Sequence, residues 1–338
     1  MSRTYDVVVG TGGLGTGIFL ALQGNHTLGR EESRAATLLD QRDYCKLHIV
    51  CHYLSRLLGR HVPVVPIGRV GEDDAGRGVL GEMRAAGLDT SYVGISTLPT
   101  LFSVCFLYPD GDGGNLSTSS SASADVSADD VLRARPVFER HRGRGLALAL
   151  PEVPLASRTA LLRLAGDHDF LRVAAVVSGE VAEVRASGML TDVDLLAVNI
   201  EEAAALGGTA QPGVMAREVV EAAVTELSRL NPRMSVVVTA GGQGSWSWDG
   251  QQLRHAPARD VDDVVGTAGA GDAHLAALVV ATLAGLDLAE ANAFAGLVSE
   301  LKVASPHTIN PDIDAASVVA AADRLGRPLP AALRGLLT

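Results

Sequence analysis

Short apolar segments recur along this chain, and each one ends in small or polar residues. Segments of this length, bounded by glycine or polar residues, are typical of buried strands. The pattern predicts strands at residues 6–9, 61–67, 145–153, 170–178, 194–199 and 234–241. Because these strands are almost continuously apolar, they predict a parallel sheet with helices on both faces, which binds ligands at the carboxyl ends of its strands.

Apolar residues at helical spacing lie between these strands. The clearest helix runs from Cys45 to Leu58 and is ended by Gly59. Another follows the second strand and is closed by Gly87. Further helices are predicted at about residues 157–165, from residue 270 onward, and at residues 289–303 and 314–325. The alternation of strands and helices predicts an α/β fold.

A hairpin interrupts this alternation. Residues 100–108 have the pattern of a strand, residues 109–115 (PDGDGGN) that of a turn, and residues 116–123 that of a serine-rich strand or loop. We interpret a hairpin placed between such units as a lid.

Composition and charge exclude several classes of protein. The chain has 338 residues, of which 47% are hydrophobic and 4% aromatic, so we expect an aliphatic core and no extensive disorder. A formal net charge of −11, with no local basic patch, argues against nucleic acid as a partner. No apolar stretch reaches the roughly 20 residues of a membrane span. The three cysteines fit a reducing compartment, so we expect a cytoplasmic protein with no membrane contact.

The most informative stretch is residues 264–278, VVGTAGAGDAHLAAL, where small residues lead directly into an apolar helix. The backbone N–H groups of Gly269, Ala270 and Gly271 would be unpaired at this helix N-terminus, where they favour phosphate or developing negative charge. A carboxylate beside such an anion hole is a poor phosphate ligand, because two anions repel. We therefore predict that Asp272 is a general base for a substrate hydroxyl. The alternative is an acidic residue that only stabilises the helix.

Four spaced segments resemble motifs of the ribokinase-like (PfkB) carbohydrate kinases. Residues 264–278 are similar to that family's D-T-x-G-A-G-D-x-F signature, NIEE (199–202) to its N-x-x-E motif, and TAGGQG (239–244) to its T-x-G-x-x-G motif. Residues 65–90 resemble its early strand, G-x-x-G-x-D-x-x-G and helix. The resemblance implies one ribokinase-like three-layer α/β/α domain over residues 1–338, with a central, mostly parallel sheet. It also implies a small β lid formed by about residues 12–40 and 97–124.

The resemblance also implies an activity. This is the transfer of the γ-phosphoryl group of ATP to a hydroxyl of a sugar, sugar acid or nucleoside, with Asp272 as base and Gly269, Ala270 and Gly271 as the anion hole. Asn199 and Glu202 would place magnesium through water. The nucleotide site would be lined by Thr239, Gly241, Gly244, Thr267 and, facing the adenine, Asn292. Because the lids of relatives often pair between subunits, a homodimer is implied as well.

The sequence departs from the family pattern in two places. Gly266 stands where the family has an Asp associated with a monovalent cation, which argues against activation by potassium. The acidic residue after the first strand and the G-G-x-x-x-N segment have no counterpart, so we expect a rebuilt acceptor pocket. The polar residues expected to line it are Asn25, His26, Arg30, Arg34, Lys46 and His48. Their potential positive charges favour an acidic or phosphorylated sugar, with solvated loop charge as the alternative.

Three alternatives come from this and other patterns. The altered acceptor side and Gly266 are compatible with a nucleotide-binding sensor or assembly protein that has lost kinase activity. Gly10–Gly15 (GTGGLG) fits the G-x-G-x-x-G fingerprint of an NAD(P)-dependent enzyme, although the polar residues that follow predict no second strand. A local cluster of possible ligands suggests a zinc site, and its members are Cys45, His48, Cys51 and His52. Their spacing fits helix packing better than a zinc site.

Overall fold

Two β-sheets and the helices around them make up the fold. The computed structural model describes residues 5–110, 113–209, 213–259 and 264–338. The strands are β1 (Val7–Thr11), β2 (Gly15–Leu22), β3 (Ala36–Tyr44), β4 (Val64–Gly71), β5 (Val93–Ser96), β6 (Leu101–Leu107), β7 (Gly113–Ser117), β8 (Gly145–Ala149), β9 (Leu171–Ala174), β10 (Leu195–Asn199), β11 (Ser235–Thr239), β12 (Ser245–Trp248) and β13 (Leu253–Ala256). The helices are α1 (Lys46–Leu58), α2 (Asp74–Ala85), α3 (Ala128–Leu132), α4 (Arg135–Arg140), α5 (Leu155–Asp167), α6 (Val181–Ser187), α7 (Ile200–Gly207), α8 (Ala216–Leu230), α9 (Ala270–Leu283), α10 (Leu288–Val303), α11 (Ala315–Arg324) and α12 (Ala331–Leu337).

The larger sheet has nine strands in the order β13-β12-β11-β10-β9-β8-β1-β4-β5. All neighbours from β11 to β5 are parallel, and β12 and β13 extend one edge as an antiparallel hairpin. The six strands predicted from the apolar segments are confirmed as β1, β4, β8, β9, β10 and β11. Strand β4 lies further along the chain than predicted, because residues 68–71 pair with β5.

Side chains of the larger sheet alternate between two cores. In β1, Val8 belongs to the core on one face, whereas Val7 and Val9 belong to the core on the other. Helices α1, α9 and α10 cover the first face, and α5, α7 and α8 cover the second. This is the expected three-layer α/β/α architecture.

Helices α1 and α9 lie on the same face of this sheet. The prediction for α1 is confirmed, including its end at Gly59, where φ is 59°. Helix α9 is apolar around most of its circumference because it packs against both α1 and α10. Its position is therefore fixed by neighbours on several sides. Within the described ranges, no helix is long and apolar enough to cross a membrane.

A second sheet contains four strands in the order β3-β2-β6-β7. Strand β2 is parallel to β6 and antiparallel to β3, and β7 is antiparallel to β6. The sheet is formed largely by the two stretches for which a lid is predicted. Strand β3 was not expected, because its sequence, ATLLDQRDY, does not alternate cleanly between apolar and polar residues.

The connection between the two sheets rules out the dinucleotide alternative. A G-x-G-x-x-G fingerprint needs a strand that leads into a helix N-terminus, whereas Gly10–Gly15 lead from β1 into strand β2. The glycines serve close packing instead. A Cβ at Gly10 would lie 2.9 Å from Leu47 Cδ1, and a Cβ at Gly12 would lie 2.9 Å from Leu150 Cβ. The alternative of an NAD(P) site at these residues does not fit this connection.

Candidate active site

Polar side chains gather where several strands of the larger sheet end and where α1 and α9 begin. Asn199, at the end of β10, is the register partner of Thr239 at the end of β11. Glu152 follows β8 closely. Lys46, at the start of α1, places its Nζ 3.5 Å from Oδ1 of Asp272 in the first turn of α9. The carboxyl edge of the sheet is where open parallel sheets bind ligands.

The first turn of α9 leaves backbone N–H groups open. Gly269 precedes the helix with a φ of 80°, which glycine adopts without strain, and in the described part of the chain no side chain caps the helix. Ala270 N–H donates to Thr267 O at 3.0 Å, so this predicted member of the anion hole is already used. Among the described residues, no hydrogen bond occupies the N–H groups of Gly269, Gly271 and Asp272, which remain for an anion at the positive end of the helix dipole.

Lys46 supplies a positive charge beside Asp272. The Asp272 side chain is only 14% exposed. Its carboxylate raises the pKa of Lys46 above the usual range against the opposing effect of burial, and Glu202 and Glu152 add to that rise. The ammonium therefore stays charged throughout the physiological pH range. Of the six residues predicted for the acceptor, Lys46 is the one that contacts the predicted base.

Glu152 reaches the same site from β8 through an unusual backbone conformation. Its φ is 72°, a left-handed value that is rare for a residue with a side chain. Oε2 accepts a hydrogen bond from Lys46 N–H at 3.0 Å. The side chain covers Gly13, where a Cβ would lie 2.5 Å from Glu152 Cβ. Burial raises the pKa of Glu152 to about 7 despite the opposing charge of Lys46, so its protonation changes near neutral pH.

Asp43 is a second carboxyl group buried on this side of the site. It lies on β3, and its Oδ2 accepts hydrogen bonds from Ser103 Oγ at 2.5 Å and from Cys105 Sγ at 3.2 Å, both on β6. Gly17 on β2 lies between these strands and is the register partner of both Asp43 and Ser103, so the absence of a side chain there leaves space for the contact. Burial raises the pKa of Asp43, and nearby Asp272 adds to this effect.

Asn199 and Glu202 form the N-terminal cap of α7. Asn199 Oδ1 accepts from Glu202 N–H, and Glu202 Oε2 accepts from Asn199 N–H, both at 2.8 Å. Burial raises the pKa of Glu202, and Lys46 opposes that rise. The cap uses one carboxylate oxygen, which leaves the other for an ion. Because magnesium prefers oxygen ligands and keeps several waters, these residues fit the predicted role of holding it through water.

The residues predicted for the nucleotide lie on two loops. Thr239 ends β11, and the turn after it contains Gly241 and Gly244, with φ values of 52° and 86°. A Cβ at Gly244 would lie 2.2 Å from Ala256 O, so only glycine allows β13 to approach this turn. Thr267 is exposed just before α9. Their contact with a nucleotide stays a prediction.

Asn292, the residue predicted to face the adenine, lies in the interior. It is 1% exposed, and its Oδ1 is 3.0 Å from His274 Nε2. His274 Nδ1 lies 3.2 Å from Ser299 Oγ. Burial lowers the pKa of His274 to about 4, so the histidine is neutral at physiological pH. In this structure Asn292 contacts His274 of the neighbouring helix α9. A role of Asn292 at the nucleotide stays a prediction.

The cationic residues predicted for the acceptor lie mostly in the loop between β2 and β3. Arg34 Nε donates to Glu32 at 2.6 Å, and its Nη1 donates to the backbone oxygen of His26 at 2.8 Å. His26 Nε2 is also 3.0 Å from Glu32. Arg34 holds the pKa of Glu32 well below its usual value, at about 2. These pairs neutralise much of the local charge, and Arg30 is exposed to solvent.

Asn25 and His48, also predicted for the acceptor, contact other parts of the protein. Asn25 Oδ1 accepts a hydrogen bond from Asp110 N–H at 3.1 Å, which joins two loops of the second sheet. His48 is 1% exposed inside α1, and its ring lies 4.5 Å from that of Tyr44. Within the described residues, His48 Nδ1 has no hydrogen-bond partner. His48 therefore belongs to the packed interior. Among the described residues, no group of three or more His, Cys, Asp or Glu side chains is placed to hold a metal ion.

His48 predicts a loss of stability in acid. Burial lowers its pKa to about 3, below the unfolded value of about 6.5, so the unfolded chain binds the extra proton in this range. The contribution of neutral His48 is fully present above about pH 6.5 and is lost as the pH falls toward 3. We expect His48→Leu to keep or raise the free energy of unfolding at pH 7 and to flatten its decline between pH 6.5 and 4. Urea unfolding across this range measures both. An exposed control, His61→Leu, should retain the wild-type slope, and an unchanged slope in His48→Leu would contradict the assignment.

A family comparison places the chain among known proteins. Its sequence matches the family described as pfkB family carbohydrate kinase over residues 50–316, well over half of the chain. The chain belongs to the pfkB family. The resemblance drawn from the four motifs is confirmed, and the protein is a carbohydrate kinase of this family.

Solved structures show the same fold as this pfkB-family kinase. Ribokinase from Giardia lamblia superposes with a TM-score of 0.75 at 18% identity, covering 89% of this chain and 95% of its own. A ribokinase from Cryptococcus neoformans var. grubii serotype A in complex with ADP has a TM-score of 0.73 at 19% identity, covering 95% of this chain and 100% of its own. A Burkholderia thailandensis nucleoside kinase in complex with inosine has a TM-score of 0.71 at 16% identity, covering 94% of this chain and 98% of its own.

Two carboxyl groups of this pfkB-family kinase were missed by the sequence analysis. Glu152 carried a usable signal, since an acidic residue directly after a buried parallel strand lies at the ligand-binding edge. Asp43 carried no such signal. Its polar stretch does not show that β3 and β6 lie on either side of β2, where Gly17 leaves space for the contact. Glu152 comes close to Lys46, and Asp43 to Asp272, only through the tertiary fold.

Proposed function

We propose that this pfkB-family kinase transfers the γ-phosphoryl group of ATP to a hydroxyl group of a sugar or a nucleoside, with Asp272 as the general base. The observation that carries the proposal is the position of Asp272. Its carboxylate lies in the first turn of an uncapped helix, beside open N–H groups and 3.5 Å from the Lys46 ammonium. A base and an anion-binding group in one turn are what phosphoryl transfer to an alcohol requires.

The proposed reaction follows from these groups. Asp272 accepts the proton of the acceptor hydroxyl as its oxygen forms a bond to the γ-phosphorus of ATP. The bond between the γ-phosphorus and the oxygen that bridges to the β-phosphate breaks, and ADP leaves. The N–H groups of Gly271 and Asp272 donate to the oxygens of the phosphoryl group in transfer, where the helix dipole adds stabilisation.

Lys46 and the α7 cap have supporting roles in this proposal. The Lys46 ammonium, 3.5 Å from Asp272, reduces the repulsion between this carboxylate and the incoming phosphate. Glu202, with Asn199, would hold magnesium through water. When bound, magnesium neutralises part of the charge on the phosphates of ATP. The nucleotide would lie along the loops that contain Thr239 and Thr267.

The charges around Lys46 favour an acceptor without an acidic group. Asp43, Glu152 and Asp272 bring three carboxyl groups to this region, where the Lys46 ammonium contacts Asp272. Carboxylates accept hydrogen bonds from hydroxyl groups but repel another anion. This argument favours a neutral sugar or nucleoside over the acidic or phosphorylated sugar predicted from the potential cations of the acceptor region. Inosine in the nucleoside kinase of similar fold supports the same class.

A phosphate-transfer screen tests the proposal. The full chain is incubated with Mg·ATP and a panel of neutral sugars, sugar acids and nucleosides, and ADP release is followed together with the mass of the phosphorylated product. We expect transfer to at least one neutral sugar or nucleoside, with weaker transfer to the acid of the same carbon skeleton. Transfer only to acids would contradict the proposed acceptor class. ATP turnover that is independent of any acceptor would contradict the base assignment.

The Lys46–Asp272 ion pair also supports a second candidate. If the ammonium held the carboxylate away from the acceptor, the protein would bind nucleotide as a sensor without transferring phosphate. Isothermal titration with Mg·ADP, run beside the screen, separates the two. Binding of Mg·ADP together with no transfer to any acceptor favours the sensor. Product formation excludes it.

The second sheet supports the predicted homodimer. By strand register, Leu38, Phe102 and Leu116 lie on one face of that sheet, and they are 46%, 40% and 65% exposed. A cluster of exposed apolar side chains is typical of a contact surface. We propose pairing of this sheet between subunits, and a cytoplasmic location in keeping with the free thiols of Cys45, Cys51 and Cys105.

A further inference from the structure

A fully buried lysine lies behind the turn that precedes α9, residues 266–271. Lys302, on α10, has no exposed surface. Its Nζ donates to Gly266 O at 2.9 Å and to Ser305 O at 3.3 Å. Among the described residues, these partners are backbone carbonyls and not carboxylates. Such a site is costly for an ammonium, because neutral dipoles only partly replace the water it has lost.

Backbone hydrogen bonds to the end of α10 also hold the 266–271 turn in place. The N–H groups of Val265 and Gly266 donate to Val303 O at 2.8 Å and 3.2 Å. Gly266 is therefore bonded to the end of α10 through its N–H and to Lys302 through its carbonyl. The chain after α10 also packs against the turn, since a Cβ at Gly269 would lie 2.2 Å from Thr308 O. Lys302 thus links the 266–271 turn to the chain that follows α10.

The buried ammonium also lies within electrostatic range of the predicted base. Burial lowers the pKa of Lys302 to about 8, and the negative charge of Asp272 opposes that shift. At neutral pH most of these amines keep their proton. A positive charge behind the turn offsets part of the repulsion between Asp272 and a phosphate that arrives at the N-terminus of α9.

We propose that Lys302 is a built-in monovalent cation that positions the 266–271 turn for phosphoryl transfer. Its ammonium binds the carbonyls of Gly266 and Ser305 as a potassium or free ammonium ion would, so the enzyme needs neither ion from solution. The inference rests on the proposed function, because it assigns a positioning residue to that reaction. It explains why the chain retains a charged side chain in its core.

Two variants and a set of salts test this role. Lys302→Met removes the charge but fills the space, whereas Lys302→Ala removes the charge and leaves room for an ion. Turnover with the best acceptor of the screen and the dissociation constant of Mg·ADP are measured in tetramethylammonium chloride, with potassium or ammonium chloride added at constant ionic strength. Circular dichroism and thermal melts establish that each variant is folded.

We expect both variants to lose about tenfold or more in kcat without an added small cation. Potassium or ammonium should restore Lys302→Ala to within about threefold of the wild type, and should leave Lys302→Met low. The wild type should respond by less than about twofold. Unchanged kcat in both folded variants, or restoration of Lys302→Met as well as Lys302→Ala, would overturn the proposal.

The wild type alone keeps the proposal testable if neither variant folds. Activation of the wild type by potassium would overturn the built-in cation, and independence from potassium would support it. Failure of the proposed function has a different result, namely no phosphate transfer by the wild type to any acceptor. In that case the affinity for Mg·ADP is the readout. Weaker binding by Lys302→Ala that potassium restores supports the role of Lys302, and equal binding by all three proteins overturns it.

Discussion

Asp272→Asn is expected to lower kcat by about two orders of magnitude or more and to leave the affinity for ATP nearly unchanged. The amide keeps the size of the side chain and the first turn of α9, but it cannot accept the proton of the acceptor hydroxyl. The N–H groups of Gly271 and residue 272 remain in place, so binding of the phosphates should persist. Initial rates at saturating acceptor, with Mg·ATP varied, separate the two effects.

A matched control for this variant is Asp314→Asn, which makes the same change at the start of another helix. Asp314 caps α11, and Asn is also a good capping residue, so both stability and turnover should stay close to the wild type. Retention of more than about a tenth of kcat by folded Asp272→Asn would remove Asp272 from the role of base. A large loss of Mg·ATP affinity would instead point to a role in nucleotide binding.

Glu152→Gln is expected to raise the acceptor KM by about tenfold to a hundredfold, with little effect on the KM for ATP. In the proposed site, the Glu152 carboxylate accepts hydrogen bonds from hydroxyl groups of the substrate. A hydrogen bond to a charged group contributes about 1.5–3 kcal/mol. The amide preserves the shape beside Gly13 but replaces one of the two accepting oxygens with a donor. Glu139→Gln, an exposed change on α4, is the matched control and should leave both constants unchanged.

The pH profile gives a second readout of Glu152. Burial raises its pKa to about 7, so the carboxylate is the main form above that value and is lost as the pH falls through it. In the wild type, kcat/KM for the acceptor should therefore decline below pH 7. The Gln variant should lack this step. An acceptor KM that Glu152→Gln leaves unchanged, or a variant profile with the same decline, would place the acceptor elsewhere.

The order and type of the main elements could be predicted from the sequence. Helix α1 ends at Gly59 and α9 begins at Ala270 as expected, because glycine, capping residues and apolar spacing act locally. Helix α8 and the β12–β13 hairpin were not predicted. The hairpin consists of two short strands whose sequences carry little alternation, and its pairing depends on β11 as an existing edge.

The candidate site was only partly predictable for the same physical reason. The anion-binding turn and Asp272 are contiguous in sequence, so their chemistry was visible there. Whether a cation is available depends on its nearest carboxylate, and Arg34 pairs with Glu32 whereas Lys46 pairs with Asp272 across more than two hundred residues of chain. The role of Lys302 was hidden too, because backbone carbonyls that bind an ammonium leave no trace in residue identity.

The left-handed backbone of Glu152 lowers the stability of the fold at a residue whose carboxylate the proposed acceptor site needs. A non-glycine residue in this conformation costs of order 1 kcal/mol, which glycine would avoid. Selection for thermal robustness alone would therefore drift toward glycine at this position and lose the carboxylate. Efforts to engineer a hardier variant should leave residue 152 untouched and seek their gains in the helices far from the carboxyl edge of the sheet.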